Sequence, residues 1–145
     1  LMFELRPQLL DVHGLEAAVR ALVEQAGAEA GFDTELAASI GRYPAGVEGM
    51  TYRTVREAVA NARRHSRARR LTVRLEERDG GIRGSVCDDG VGFDVGAVRE
   101  RPDSHLHQGL DAVAERLRLA GGSFSIDTEP GGGTRVTFEV PIGAA

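Results

Sequence analysis

The sequence predicts an α/β two-layer sandwich, a mixed sheet of about five strands with three helices on one face. Three observations predict it. Three segments carry apolar residues at helical spacing, several short segments alternate apolar and polar residues between turn signals, and the two kinds are interspersed along the chain. The 145 residues suit one domain with a modest core.

"LMFELRP" reads as the last turns of a helix stopped near Pro7, and residues 1–10 are set apart as a remnant from a single domain over 11–145. In "DVHGLEAAVRALVEQAGAEAG", Leu15, Ala18, Val19, Leu22, Val23 and Ala26 recur at helical spacing, and Gly31 suits a stop. "FDTELAASI" alternates as a strand, and "YPAG" breaks the chain. Residues 47–65 place Val47, Met50, Val55, Ala58, Val59 and Ala62 on one helical face. "LTVRLEER" and "IRGSVCD" are strands joined at "DGG" as a hairpin. "DGVGFDVGAVRERPDSHLHQG" has no steady period and reads as a long loop, a length that is more often functional than idle. "LDAVAERLRLAGG" is the third helix, and "SFSIDTEPGGGTRVTFEVPI" is two strands around a glycine-rich turn.

Composition excludes several classes. The hydrophobic share is 41%, with no stretch long enough to span a membrane and no secretory signal. Cys87 is the single cysteine, which rules out an internal disulfide framework and fits a reducing cytoplasm. It is expected to be a small buried residue on a strand. All 18 basic residues are Arg, so a phosphate-binding loop of the GxxxxGK[ST] kind is impossible. The net charge of −4 argues against wholesale nucleic-acid binding, although Arg56, Arg63, Arg64, Arg67, Arg69 and Arg70 cluster locally. The chain reads as a domain excised from a longer protein.

Four motifs can carry chemistry. In "REAVANARRHS", Glu57, Asn61 and Arg64/His65 share one helical face. Asn61 offers a carbonyl oxygen that Mg²⁺ accepts, Glu57 can orient a water or take a proton, and Arg64 and His65 can meet phosphate. Taken alone, the same residues equally fit a solvated helix face with one Glu–Arg pair. In "VCDDGVGF", Asp88 at a strand end can accept from an exocyclic amine, while Gly90 and Gly92 let backbone approach a flat ring or phosphate. DDG is also a plain turn signal. In "HQGL", Gly109 stands just before the third helix, whose N-terminus favours an anion. In "GGGT", Thr134 ends a turn where its hydroxyl can lie near a ligand.

In this order the motifs resemble the ATP-binding fold shared by gyrase, the heat-shock ninety chaperones and sensor histidine kinases, over about residues 12–142. The chain looks most like the catalytic domain of DesK/NarL-partner-type kinases. "FELRPQLLDVHGLEAAV" resembles their junction with the dimerisation helix, "REAVANARRHSRA" their N box, and "HQGLDAVAERLRLAGGSFSIDTEPGGGTRVTFEVPI" their lid-to-end segment. The resemblance implies a Bergerat-type fold that binds ATP and Mg²⁺. It makes Asn61 the metal ligand, Glu57 the acid/base or water-positioning residue, and Asp88 the acceptor for the adenine amine. Gly90 and Gly92 would shape the adenine pocket, with a lid over 94–108. Gly109 and Leu110, the GL of the lid motif, would lie at the phosphates, and Thr134 would support Asp88. Arg64 stands where the family often has Lys. His107 replaces the first Gly of the lid motif, and Ala112 replaces a frequent Gly in the helix that follows.

The implied activity is a histidine kinase that passes the γ-phosphate of ATP to a His on an upstream dimerisation domain. The phosphoryl group then goes on to an Asp of a LuxR/NarL-type response regulator. The parent would be a homodimer with this domain in the cytoplasm. The family's acceptor His is followed by an acidic residue. His13, His65, His105 and His107 are not, so the acceptor is expected upstream. The alternative is a serine kinase of the anti-sigma-factor type, which shares the fold. No nucleic-acid partner is expected. His105 and His107 have no third metal ligand nearby and are read as solvated lid residues.

Overall fold

A computed structural model describes residues 7–65, 69–90, 105–128 and 130–143, excepting the side chains of residues 64, 65 and 105–108. The elements are α1 (Gln8–His13), α2 (Leu15–Ala30), β1 (Asp33–Ser39), α3 (Ala45–His65), β2 (Arg70–Arg78), β3 (Gly81–Asp88), α4 (His105–Leu119), β4 (Ser123–Thr128) and β5 (Thr134–Pro141). The five strands form one mixed sheet in the order β1-β2-β3-β5-β4. The β1–β2 pair is parallel and the others are antiparallel. The expected two-layer α/β architecture is therefore the one observed.

Local chemistry explains the joints. Asp79 and Gly80 both have positive φ (54° and 78°), the conformation of a two-residue hairpin turn whose twist matches the strands it joins. Gly31 ends α2 in the left-handed conformation and returns its N–H to the Gly27 carbonyl at 2.8 Å. The start of α3 is fixed by Glu48, which is only 2% exposed. Its carboxylate accepts from the Tyr43 N–H and from Arg42 Nε, both at 3.1 Å, and Arg42 Nη2 also donates to the Asp11 carbonyl of α1 at 3.2 Å. A buried carboxylate is tolerated because it is paired and hydrogen-bonded. Thr51 and Thr54 are buried in α3 on the same terms, their hydroxyls donating to the Val47 and Met50 carbonyls.

The register sorts the helix-facing side of the sheet into rows. One row runs Ala38, Leu75, Gly84, Phe138, Phe124, and the next Leu36, Val73, Val86, Val136, Ile126. These pack against Val19 and Val23 of α2, Val55 and Val59 of α3, and Val113 and Leu117 of α4 as one core. Gly84 makes room for the Phe138 ring: a Cβ there would lie 2.7 Å from the ring's Cε1 and 2.9 Å from a Leu75 methyl. The following row, Thr34, Leu71, Asp88, Thr134, Thr128, turns polar at its β3–β5–β4 end.

Two expectations need correction, and the helix expected ahead of Pro7 lies outside the described residues. Pro7 itself occupies the N-cap of α1 with φ −63°, where a proline is well accommodated, and Leu10 of α1 is fully buried. The third helix begins at His105 rather than Leu110, which takes residues 105–108 out of the expected lid. The remaining lid positions and Gly92 lie outside the described residues. Cys87 is not core: it lies on the sheet face away from the helices, half-buried, with Arg135 Nε donating to its Sγ at 3.3 Å. Strand alternation requires this, because Val86 beside it points inward.

Gly84→Val should overpack this core and lower stability by about 1–3 kcal/mol. Phe138→Leu in the same chain should recover part of the loss. Urea unfolding of the two single variants and the double variant measures this, and strictly additive losses would contradict the contact.

Candidate nucleotide-binding site

The motif residues gather in two groups, one between α3 and α4 and one at the polar end of the sheet. In the first, Asn61 is only 5% exposed, on the face of α3 that also buries Ala58 and Ala62. Its Oδ1 is buried and has no hydrogen-bond partner among the described residues. An unsatisfied buried acceptor costs about 1–3 kcal/mol, so a cation or donor that reached it would recover that energy. A hard divalent cation with oxygen ligands fits the atom. Asn61 is therefore not on a solvated helix face.

Glu57, one turn earlier, is half-buried and meets α4. A Cβ at Gly109 would stand 2.5 Å from Glu57 Oε1, so only glycine lets α4 pass this close to the carboxylate. The expected role of Gly109 changes accordingly. It is the fifth residue of α4, a position whose N–H an α-helix directs to the carbonyl four residues back, rather than a free donor at the helix end. Leu110, expected beside the phosphates, is 4% exposed.

At the sheet end, Asp88 and Thr134 are partners in the β3–β5 ladder. The Gly90 N–H donates to Asp88 Oδ1 at 2.8 Å. Burial pushes the Asp88 carboxyl above its ordinary value. The Gly90 N–H opposes this, the charge of Asp89 adds to it, and the Thr134 N–H opposes it. Thr134 is 7% exposed, and its hydroxyl lies 2.9 Å from that of Thr128 on β4. Gly133, with φ 75°, lies against the Asp88 backbone, where a Cβ would come within 2.5 Å of the Asp88 carbonyl oxygen. The third glycine of "GGGT" is thus required by conformation and by space. A cavity of about 390 Å³ opens at this end of the sheet, lined by Asp88, Thr128, Gly132 and Thr134 and, from the row that faces away from the helices, by Cys87, Asp127 and Arg135. A depression of about 410 Å³ on the opposite sheet face holds none of the motif residues.

Two positions that shape the candidate site carry no assignment from the motifs. Asp89 points away from Asp88 and accepts the N–H groups of Arg69 (2.8 Å) and Arg70 (3.0 Å), which clamps the start of β2 to the end of β3. Those bonds hold its carboxyl below the ordinary value. The adjacent acidic pair on a strand end was the available signal, since neighbours on a strand face opposite ways. Thr128 had no local signal and is found only through the β4–β5 pairing. Within the Arg cluster, Arg63 bridges to Glu29 of α2 at 2.8 Å and Arg70 to Glu35 of β1. The side chains of Arg64 and His65 lie outside the described residues.

The family model described as "Histidine kinase-, DNA gyrase B-, and HSP90-like ATPase" matches residues 46–144. An uncharacterized sensor-like histidine kinase of Chloroflexus aurantiacus is 35% identical over 98% of this chain and 25% of its own length. The oxygen sensor histidine kinase NreB of Staphylococcus carnosus is 36% identical over 98% of this chain and 40% of its own. The chain therefore spans well under half the length of these relatives. Among solved structures, full-length ShkA in complex with AMPPNP superposes on all of this chain and 32% of that one, with a TM-score of 0.73 at 24% identity. The histidine kinase domain from the Erythrobacter litoralis EL346 blue-light activated histidine kinase covers 88% of this chain and 59% of its own, with a TM-score of 0.68 at 22% identity. Both are likenesses of fold.

The two aspartates should titrate stability in opposite directions. Asp88 has a raised pKa in the folded protein, so its contribution is full below the unfolded value and is lost as pH rises through the folded one. Asp89 has a lowered pKa, so its contribution is present above the unfolded value and is lost as pH falls through the folded one. Asp88→Asn should raise the urea midpoint at neutral pH and lose that advantage in acid. Asp89→Ala should lower it at neutral pH and converge with the unmodified protein in acid. Parallel pH dependences for the two variants would contradict the assignment.

Proposed function

Because the chain belongs to the histidine kinase-, DNA gyrase B-, and HSP90-like ATPase family, we propose that it is the catalytic domain of a sensor histidine kinase. It binds Mg-ATP, and its γ-phosphoryl group passes to a His of an upstream dimerisation domain and then to an Asp of a response regulator. The observation that carries this reading is the buried Oδ1 of Asn61, without a partner among the described residues, one helical turn beyond Glu57. An asparagine held in this way is a structural liability unless something binds it.

Asn61 Oδ1 would hold Mg²⁺, which neutralises phosphate charge when bound. Glu57 would orient the incoming nucleophile or take its proton, with Gly109 keeping α4 against it. Asp88 and Thr134 would receive the adenine amine, and Gly90 and Gly92 would flank the ring. Arg64 and His65 would meet phosphate. Phosphoryl transfer asks the protein mainly for positioning and charge neutralisation, which this set supplies.

The acceptor would lie outside the chain's own histidines, in dimerisation helices upstream of this domain. The likeness to NreB is in keeping with a parent of the DesK/NarL-partner group. Such a parent would be a homodimer that serves a LuxR/NarL-type regulator. No helix among the described residues is long and apolar enough to cross a membrane.

Calorimetry should detect ATP binding that strengthens with Mg²⁺. Asn61→Ala should weaken Mg-ATP at least about tenfold while leaving metal-free ATP little changed. Absence of binding by the folded, unmodified protein would overturn the reading. Radiolabelled ATP should leave this chain unlabelled and should label a His of the longer protein that carries the dimerisation helices. Acid-stable label on a separate protein's Ser would favour the serine-kinase alternative.

A further inference from the structure

The two threonines at the polar end of the sheet have their hydroxyl protons ordered by the backbone. Thr128 Oγ1 lies 2.9 Å from the Gly133 carbonyl oxygen. A carbonyl only accepts, so the single hydroxyl proton of Thr128 points there. Thr128 Oγ1 also lies 2.9 Å from Thr134 Oγ1. With the Thr128 proton already committed, Thr134 is the donor in that contact. The Thr134 proton is thereby turned toward β4, and its oxygen shows only lone pairs to anything else. Asp88, its ladder partner, presents a carboxylate. The Asp88–Thr134–Thr128 row, which lines the 390 Å³ cavity together with Cys87, Asp127 and Arg135 of the neighbouring row, therefore presents acceptors and suits a ligand edge that donates.

We propose that Thr128 is a positioning residue that sets selectivity for a 6-amino purine over a 6-oxo purine, acting through the proton order Thr134 to Thr128 to Gly133. The inference rests on the nucleotide-binding reading above and adds to it a residue that need not touch the base. A 6-amino group donates to Asp88 and Thr134. A 6-oxo group sets acceptor against acceptor, an arrangement a buried polar site rejects. Removing the Thr128 hydroxyl releases the Thr134 proton, which can then turn to a 6-oxo oxygen. The expected effect is a gain of binding, which damage to the fold would not produce.

The test is calorimetric titration of ATP and inosine triphosphate, each with Mg²⁺, into the unmodified protein, Thr128→Val and Thr128→Ser. Thr128→Val should bind inosine triphosphate more tightly and shrink the ratio of the two dissociation constants by about fivefold or more, about 1 kcal/mol. Thr128→Ser, which keeps the hydroxyl, should hold the ratio within about twofold. Thr128→Ala removes the same acceptor with a smaller side chain and serves if valine disturbs the fold. Adding Thr134→Val should abolish the effect of Thr128→Val on the ratio. Valine and alanine variants that bind ATP but gain nothing toward inosine triphosphate would overturn the proposal. Failure of the unmodified protein to bind ATP would overturn the nucleotide reading, and this proposal with it.

Discussion

The pairing of β3 with β5 is the constraint on which the rest depends. With Gly84 opposite Phe138 and Val86 opposite Val136, the inner sheet face closes a core under α2, α3 and α4. The same register, carried two residues further, sets Asp88 opposite Thr134 at the edge of that core. A slip of one residue would turn every one of these side chains to the other face. The apolar rows thus fix where the polar row falls, and the site inherits its geometry from the packing behind it.

The polar groups around the site are held at different degrees of satisfaction. Glu48, Thr51 and Thr54 are buried and fully engaged, and they anchor α3. Asp89 is engaged and exposed, and it ties two strand ends together. Asn61 is buried with its oxygen unpartnered among the described residues, and Asp88 is held partly desolvated with a raised pKa. Unfavourable burial at these two positions, where the other buried side-chain polar atoms of the described residues are paired, sets the candidate site apart from the scaffold.

Much of the fold was legible in the sequence, because α2, α3 and the strands carry clean periods. Val55, Ala58, Val59 and Ala62 of α3, and Val73, Leu75 and Val86 of the central strands, are all core residues. The start of α4 was not legible. Residues 105–108 show no apolar period, and Gly109 resembles a helix boundary until its packing against Glu57 supplies another reason for a glycine. The short α1 after Pro7 was not legible either, because Gln8–His13 is too brief to show a period. Cys87 was misplaced although alternation with Val86 contained the answer. The burial of Asn61 and the pairing of Thr128 depend on tertiary contacts that no local pattern encodes.

The central claim is that the buried oxygen of Asn61 faces a metal-bound nucleotide. Nuclear magnetic resonance of ¹⁵N-labelled protein with Mn²⁺ and a non-hydrolysable ATP analogue tests it most directly. The account predicts that the Asn61 side-chain amide is broadened beyond detection, with milder effects spreading along α3 from that point. Broadening centred on the opposite sheet face, around Arg74 and Ser85, with the Asn61 amide unaffected, would contradict it.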